Sequence, residues 1–527
     1  MQRVLVTERL AESGLEAMAA AGLDVDVRLD LSPADLLDAV RGAAALVIRS
    51  ATQVDAAVLE AGSDLVVVGR AGIGIDNVDV DAATERGVMV VNAPNSIALA
   101  NAEHTMAMLL ALARNVPQAD RDLRGGGWNR ARWEGVEVNG KTLGIVGLGR
   151  VGVLVAQRAR SFGMRIVARE LFMSADRAHQ LGVELMPTLE DLVREADFLV
   201  LAVPKTPENV GMISAEVLQH AKPSLRIVNT ARGGLIDEAA LVDALRDGRI
   251  AGAALDVFDT EPLRESPLFE LESVVLTPHL GASTSEAQDK AGQTIAEQVV
   301  LALHGEFVPF AVNLAASEAN ASIQPFMPLA ERLGGLFTAL AGGVVDSLEI
   351  SYEGEIAGYD CRVLTLAILK GVLGPVMSEP VSLVNAPRLA EERGLVVRET
   401  SSSSARDYVN LVELRGHSNG RRTHVAGTLF GKQDAPRIVA IDDHIVDIPP
   451  SKYMLVVHND DKPNMIGGVT SAVGSNGINI DELKVGRGPT GDAAMMVLST
   501  STPVPSAVVE QIRAQEGVVA AQAIELA

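Results

Sequence analysis

The chain has 527 residues, a formal net charge of −23, 48% hydrophobic residues and only 3% aromatic ones; at about 150 residues per domain, three or four domains are expected. The acidic balance excludes nucleic acid and anionic membrane surfaces as partners, and the single cysteine, Cys361, excludes a disulfide framework and a cysteine-ligated metal, so no metal site is expected. No stretch approaches 18 uninterrupted apolar residues, and Glu8 and Arg9 fall where a signal peptide needs its apolar run, so a cytoplasmic protein is expected.

The first 95 residues alternate short apolar runs (4–6, 46–48, 66–68, 88–91) with amphipathic segments. One of these is a helix opened by Ser32 and Pro33. This pattern predicts a small doubly wound domain. Residues 101–114 place Met106, Leu109, Leu110 and Ala113 on one helix face. Then, after Gly125-Gly-Gly-Trp128, an apolar strand over 141–146 runs into Gly147-x-Gly149-x-x-Gly152. A helix follows over 151–162, then a second strand over 164–168 and an acidic residue, Glu170. Three glycines alone are weak evidence, but strand, glycine loop, helix, strand and acid in this order predict a dinucleotide site. The glycines let the backbone approach a pyrophosphate at a helix N-terminus, and the acid falls close to the roughly 20 residues onward expected for a ribose-binding carboxylate.

Further strands are predicted over 198–202, Arg226–Asn229, 253–256 and 274–277, then a long helix over Ser285–His304, after which 307–314 leaves the domain. Beyond residue 315 the runs 347–352, 395–400 and 422–430 are strand-like, Ser401–Arg406 is a polar loop, and Cys361 with Arg362-Val-Leu-Thr-Leu looks like a strand holding a buried thiol. No motif there carries chemistry. From Tyr453 a βαββαβ unit is predicted, with strands over 453–458, 478–485 and 493–499 and helices over 465–475 and 505–515. The expected class is α/β: two doubly wound parallel-sheet domains, an α+β intervening domain and the terminal βαββαβ domain. The boundaries expected are 1–96 with 286–314, then 97–285, 315–450 and 451–527.

Three polar residues fall just past successive strands of the second domain: Arg232, Glu261 and His279. In an open α/β sheet, ligands bind outside the carboxyl ends of the strands, so all three face one crevice. The set suits hydride transfer from a 2-hydroxy acid. A guanidinium clamps the α-carboxylate through two bonds, histidine exchanges the hydroxyl proton, and a neighbouring carboxylate orients that histidine.

These motifs resemble the D-isomer-specific 2-hydroxyacid dehydrogenases. The resemblance rests on Gly69-Arg-Ala-Gly-Ile-Gly-Ile-Asp-Asn-Val78, the Gly147–Gly152 loop, Asn229-Thr-Ala-Arg-Gly-Gly234, Asp256-Val-Phe with Thr260-Glu-Pro262, and Thr277-Pro-His-Leu-Gly-Ala-Ser283. The chain length and tail are similar to the long, phosphoglycerate-oxidising form, which opens serine biosynthesis and ends in an ACT domain. The resemblance implies Arg232, Glu261 and His279 as the catalytic set. It implies NAD as cofactor, bound by Gly147, Gly149, Arg150, Val151, Gly152, Glu170, Thr206, Ala231, Asp256, His279 and Gly281. Substrate contacts are implied at Arg49, Ser50, Arg70, Gly72, Gly74, Arg130 and Arg232, with Arg130 reaching a partner subunit's substrate phosphate. The family assembles as dimers or tetramers, so a homo-oligomer is implied. L-Serine is implied as an effector at Asn459, Asp461 and Asn479.

A phosphorylated substrate carries about two more negative charges than lactate, so cations beyond Arg232 are needed; Arg49, Arg70 and Arg130 are the candidates. Arg169 beside Glu170 leaves NADP open, and Pro463-Asn464 stands where ACT domains commonly carry Pro-Gly. Two other readings stay open. One is a dehydrogenase for glyoxylate, hydroxypyruvate or lactate. The other is a non-catalytic NAD-sensing scaffold.

Overall fold

The computed structural model describes residues 1–314, 322–405, 407–418, 421–487 and 493–526; Arg406, at the end of the polar loop read from the sequence, lies outside them. Aliphatic runs form the parallel strands Arg3–Val6, Ala45–Ile48, Val67–Arg70 and Met89–Asn92, each almost wholly buried. Asp24–Val27 adds an edge strand that the hydrophobic pattern did not reveal, because its Asp-Val alternation leaves it mostly exposed. With the strands numbered along the chain, the sheet runs 2-1-3-4-5, so the order in which strands are added reverses between Arg3–Val6 and Ala45–Ile48. The loops after those two strands therefore open into one crevice. The predicted helix is present as Pro33–Ala39, with the Ser32 hydroxyl accepting from the Asp35 amide.

The helix Ala98–Arg114 leads into a second, seven-stranded parallel sheet, formed by Thr142–Val146, Arg165–Arg169, Glu184–Leu185, Phe198–Leu201, Arg226–Asn229, Gly252–Leu255 and Val274–Leu276. Its reversal point lies between Thr142–Val146 and Phe198–Leu201. On one side of it stand, in order, the three strands that precede Arg232, Glu261 and His279. The helix Ser285–His304 then returns to the first sheet, where Ile295 and Val299 share a core with Val4, Val6 and Val67. It crosses the helix Glu12–Ala20 so closely that a Cβ on Gly14 would lie 2.8 Å from the Gly292 backbone.

The third unit has a six-stranded mixed sheet covered by the helices Met327–Ala341 and Arg362–Leu373. The second of these corrects the sequence expectation, since the residues after Cys361 form a helix and not a strand. Val363, Leu364, Leu366–Leu369, Val372 and Leu373 are all buried, so no polar face exposes the helical period, and a short apolar run reads the same either way. The thiol itself is buried and unoxidised, its S–H directed at the Ile356 carbonyl. The terminal unit is an antiparallel sheet built from Tyr453–Asp460, Ile480–Arg487, Ala493–Thr500 and Val518–Glu525, with helices Met465–Ser475 and Ser506–Arg513. Asn464 takes a left-handed conformation (φ 73°) ahead of the first helix, so asparagine makes the turn that a glycine would. No helix among the described residues is long and apolar enough to cross a membrane.

Within the third unit, His424 Nδ1 lies 2.8 Å from the Asp442 carbonyl and Nε2 lies 2.7 Å from Glu413. Both partners only accept, so both ring nitrogens carry hydrogen and His424 is an imidazolium. Burial works against that charge, but the Glu413 and Asp442 hydrogen bonds outweigh it and raise the His424 pKa. Glu413 shifts the other way: burial opposes its charge, and His424 and Arg415 lower its pKa. The raised histidine contributes stability that is complete below its unfolded value and lost as pH rises through its folded one; the Glu413 contribution is lost only in acid. In thermal melts, His424→Gln should therefore lie furthest below wild type near pH 6, by about 1–3 kcal/mol, and the gap should narrow toward pH 9. A gap that widens with pH would contradict this arrangement.

Candidate active site

The strand ends of the first two sheets face each other across a cavity of about 900 Å³. Its lining includes Ser50, Arg70 and Asp76 from the first unit and Lys205, Arg232, Glu261 and His279 from the second. The three residues expected at successive strand ends are thus brought together.

His279 adopts φ 56°, and its amide donates to the Asp256 carbonyl at 2.9 Å. Its Nδ1 lies 2.7 Å from Glu261 Oε2, while Glu261 Oε1 accepts from the Phe258 amide at 3.0 Å. Burial opposes ionisation of Glu261, but the His279 and Phe258 hydrogen bonds prevail and hold its pKa below the usual carboxylate value. An ionised carboxylate only accepts, so the imidazole hydrogen sits on Nδ1 and Nε2 is left as the reactive nitrogen.

Asp256 is wholly enclosed beneath the site, where its oxygens take hydrogen bonds from Thr277 (2.6 Å) and the amides of Leu280 (2.7 Å) and Gly281 (2.9 Å). His104 Nε2 lies 3.2 Å from the same carboxylate. Burial raises the Asp256 pKa, but His104, Thr277 and the Leu280 amide together bring it below its ordinary value. The structure thus places Asp256 as the anchor of the loop that carries His279, not on the cavity wall.

The nucleotide loop shows why each glycine stands where it does. At Gly147 (φ 92°) a Cβ would meet Val203 at 2.6 Å, and at Gly152 it would fall on the Gly147 carbonyl. Gly149 instead faces open space, at the start of a helix, Arg150–Ser161, that no side chain caps. The loop is tight on the protein side and open with free amides on the other, as a pyrophosphate requires. Arg150 and Val151 begin that helix. Glu170 Oε2 accepts from the Leu148 amide at 2.7 Å and Oε1 from Leu171 and Phe172, each at 2.8 Å. Burial opposes its charge, yet the Phe172, Leu148 and Leu171 amides, with Arg169 nearby, lower its pKa, so a carboxylate stands where ribose hydroxyls would bind. Thr206 opens the turn Pro207–Asn209, and the Ala231 carbonyl accepts from Arg232 Nη1 at 2.7 Å. These residues fit a dinucleotide.

Arg70 closes the strand Val67–Arg70, and its Nε is buried with no hydrogen-bond partner. Burial and the Arg232 charge push its pKa down to about 10, with Asp76 and Glu8 opposing and Arg49 adding to the fall; it remains charged at neutral pH. Gly72 and Gly74 serve these cations by omission: a Cβ at Gly72 would fall on Arg70 Nη1, and one at Gly74 on Arg232 Nη2. Arg49 is held by its amide, which donates to Glu8 at 2.8 Å. Arg130 is exposed and outside the cavity of its own chain.

Glu8, Asp76, His104 and Lys205 were not singled out from the sequence. Glu8 accepts from the amides of Arg49, Ala51 and Thr52, shaping the loop after the strand Ala45–Ile48. Asp76 was legible within the Gly69–Val78 motif, two residues past Gly74. His104 and Lys205 stood alone in helical and loop sequence and carried no signal.

In the terminal unit the strand register separates the effector candidates. Asn459 pairs with Ala494, whereas Asn479 precedes Ile480, which pairs with Thr500 at the far end of the same strand. Six residues of strand separate them, or about 20 Å, so one chain does not assemble a site from Asn459, Asp461 and Asn479.

Comparison with known proteins settles the family. The D-isomer specific 2-hydroxyacid dehydrogenase NAD binding domain matches residues 106–281, the D-3-phosphoglycerate dehydrogenase intervening domain matches 322–442, and the ACT domain matches 453–517. The D-3-phosphoglycerate dehydrogenase of Mycobacterium tuberculosis is 46% identical over 505 residues, covering 95% of each chain. This chain belongs to the D-3-phosphoglycerate dehydrogenase family. Members from Archaeoglobus fulgidus (39% identity, covering 99% of this chain and 100% of the relative) and Bacillus subtilis (37%, 100% of each) also match over the full length. Among solved structures, the TT0316 protein from Thermus thermophilus (TM-score 0.56, 38% identity) covers 59% of this chain and 100% of its own. D-lactate dehydrogenase from Escherichia coli gives TM-score 0.53 and 28% identity, with coverage of 59% and 100%.

The Gly152→Ala variant should lose affinity for NADH by at least about tenfold, because its Cβ meets backbone that cannot yield. A fluorescence titration with unchanged affinity would contradict the assigned loop.

Proposed function

We propose that this enzyme oxidises D-3-phosphoglycerate to 3-phosphohydroxypyruvate with NAD, the first step of phosphorylated serine biosynthesis, and that it works as a cytoplasmic homo-oligomer. The observation that carries the substrate is the gathering of Arg70 and Arg232 in one cavity with the His279–Glu261 pair; Arg49 lines a neighbouring cleft, near enough for its charge to act on Arg70. Arg232 takes the carboxylate and so orients C2. Arg70 and Arg49 meet the phosphate, and Arg130 reaches the phosphate bound in a partner subunit. The Nε2 of His279 removes the C2 hydroxyl proton, and Glu261 steadies the imidazolium that forms. When bound, NAD supplies the hydride acceptor. Glu170 binds the adenosine ribose and favours NAD, since its charge repels a 2′-phosphate.

For the effector, two ACT domains from different subunits would bring Asn459 and Asp461 of one chain to Asn479 of the other, forming a site for L-serine. Asn459 supports this, because its Oδ1 is buried without a partner.

Steady-state reduction of 3-phosphohydroxypyruvate by NADH, with and without millimolar L-serine, tests the reading. Wild type should turn over and slow with serine, while His279→Ala should lose about 10²–10⁴-fold in kcat and still bind NADH. Near-normal turnover in that variant would remove the mechanism, and a rate indifferent to serine would remove the effector site.

A further inference from the structure

The mechanism above leaves Asp76 unused, yet it holds the catalytic arginine. Arg232 Nε donates to Asp76 Oδ2 at 2.9 Å, across 156 positions of sequence. The two belong to opposite walls of the cavity: Asp76 follows the strand Val67–Arg70 of the first sheet, and Arg232 follows Arg226–Asn229 of the second. Among the described residues this is the one ion pair that joins those two units. A second bond runs from Arg232 Nη1 to the Ala231 carbonyl at 2.7 Å. One bond engages Nε and the other engages Nη1, so together they fix the plane of the guanidinium. Only Nη2 then makes neither contact. The loop backbone can approach Nη2 only because residue 74 is glycine, and a Cβ there would also lie 2.8 Å from Asp76 Oδ2. The pair is unequal in exposure, at 24% for Arg232 and 59% for Asp76. The arginine sits in the cavity wall, while the acid reaches in from a wet loop.

An arginine has many rotamers, and a clamp for a planar carboxylate works only in one of them. We propose that Asp76 is a positioning residue for Arg232, reaching from the opposite domain to set the guanidinium plane in which it receives the substrate carboxylate. The clamp is then complete only when both walls of the cavity are in place, which ties substrate binding to the approach of the two domains. The proposal rests on Arg232 being the carboxylate clamp, and it does not depend on the phosphate.

The test is a double-mutant cycle with NADH and two 2-oxo acids, 3-phosphohydroxypyruvate and hydroxypyruvate, which share the carboxylate. Asp76→Ala should raise KM about tenfold for both, with a smaller fall in kcat and unchanged NADH affinity. Asp76→Asn should recover most of that loss, since its amide oxygen still accepts from Nε. In an Arg232→Lys background, where no guanidinium fork remains, Asp76→Ala should add less than about twofold. The proposal is overturned by a KM in Asp76→Ala within about twofold of wild type, or by the full loss persisting beside Arg232→Lys. It is overturned equally by an Asp76→Asn variant as poor as Asp76→Ala. If the phosphate assignment fails instead, wild type will prefer hydroxypyruvate while the Asp76 effects remain measurable on that substrate.

Discussion

A half-buried guanidinium whose Nε has no hydrogen-bond partner is the constraint on which the site depends. Arg70 sits in the wall of the cavity with Arg232 and Arg49 near enough to disfavour its charge, and only Asp76 and Glu8 supporting it. Such a cluster is unfavourable until an anion enters, because like charges in a partly desolvated site repel and an unpaired charge costs several kcal/mol. The protein around it carries a net charge of −23. Its distant charges are screened beyond about 8 Å at physiological ionic strength, so the local arginines decide what binds. An acidic protein can therefore capture a triply charged substrate, provided the cations converge where the chemistry happens.

The fold supplies that convergence through sheet geometry. Both parallel sheets place ligand-binding loops at the carboxyl ends of their strands, and the two ends face each other. Every side chain in the mechanism then needs only a short loop to reach the cavity. Asp256 shows the same economy in the layer below: it lies past the strand Gly252–Leu255, wholly buried, and its carboxylate ties down the segment from Thr277 to Gly281. Holding His279 at a positive φ requires such an anchor, since non-glycine residues rarely stay there unaided.

Much of this was legible in the amino-acid sequence. The strands and glycine loop of the nucleotide-binding unit, the helix Ser285–His304 and the terminal βαββαβ unit follow from apolar runs separated by turn residues. What escaped detection has physical causes. The strand Asp24–Val27 is an exposed edge, so its apolar signal is weak. The helix Arg362–Leu373 is buried nearly all round, so its period is hidden. His104 acts through a partner distant in sequence, which no local pattern encodes; Asp76 lies inside the Gly69–Val78 motif, but its partner Arg232 is 156 positions away and nothing local names it. The effector candidates are a case of the opposite kind, since Asn459 and the start of the strand after Asn479 register with opposite ends of the strand Ala493–Thr500, so one chain does not bring them together.

The role proposed for Arg70 is recognition of the second anionic end of the substrate. Its most direct test is the selectivity of Arg70→Ala, taken as the ratio of kcat/KM for 3-phosphohydroxypyruvate to that for hydroxypyruvate. That ratio does not depend on how much of the variant is folded. Loss of a buried charge pair predicts a fall in the ratio of at least about thirtyfold relative to wild type. An unchanged ratio, with both substrates weakened alike, would mean that Arg70 serves the shared carboxylate or the fold, and would contradict that role.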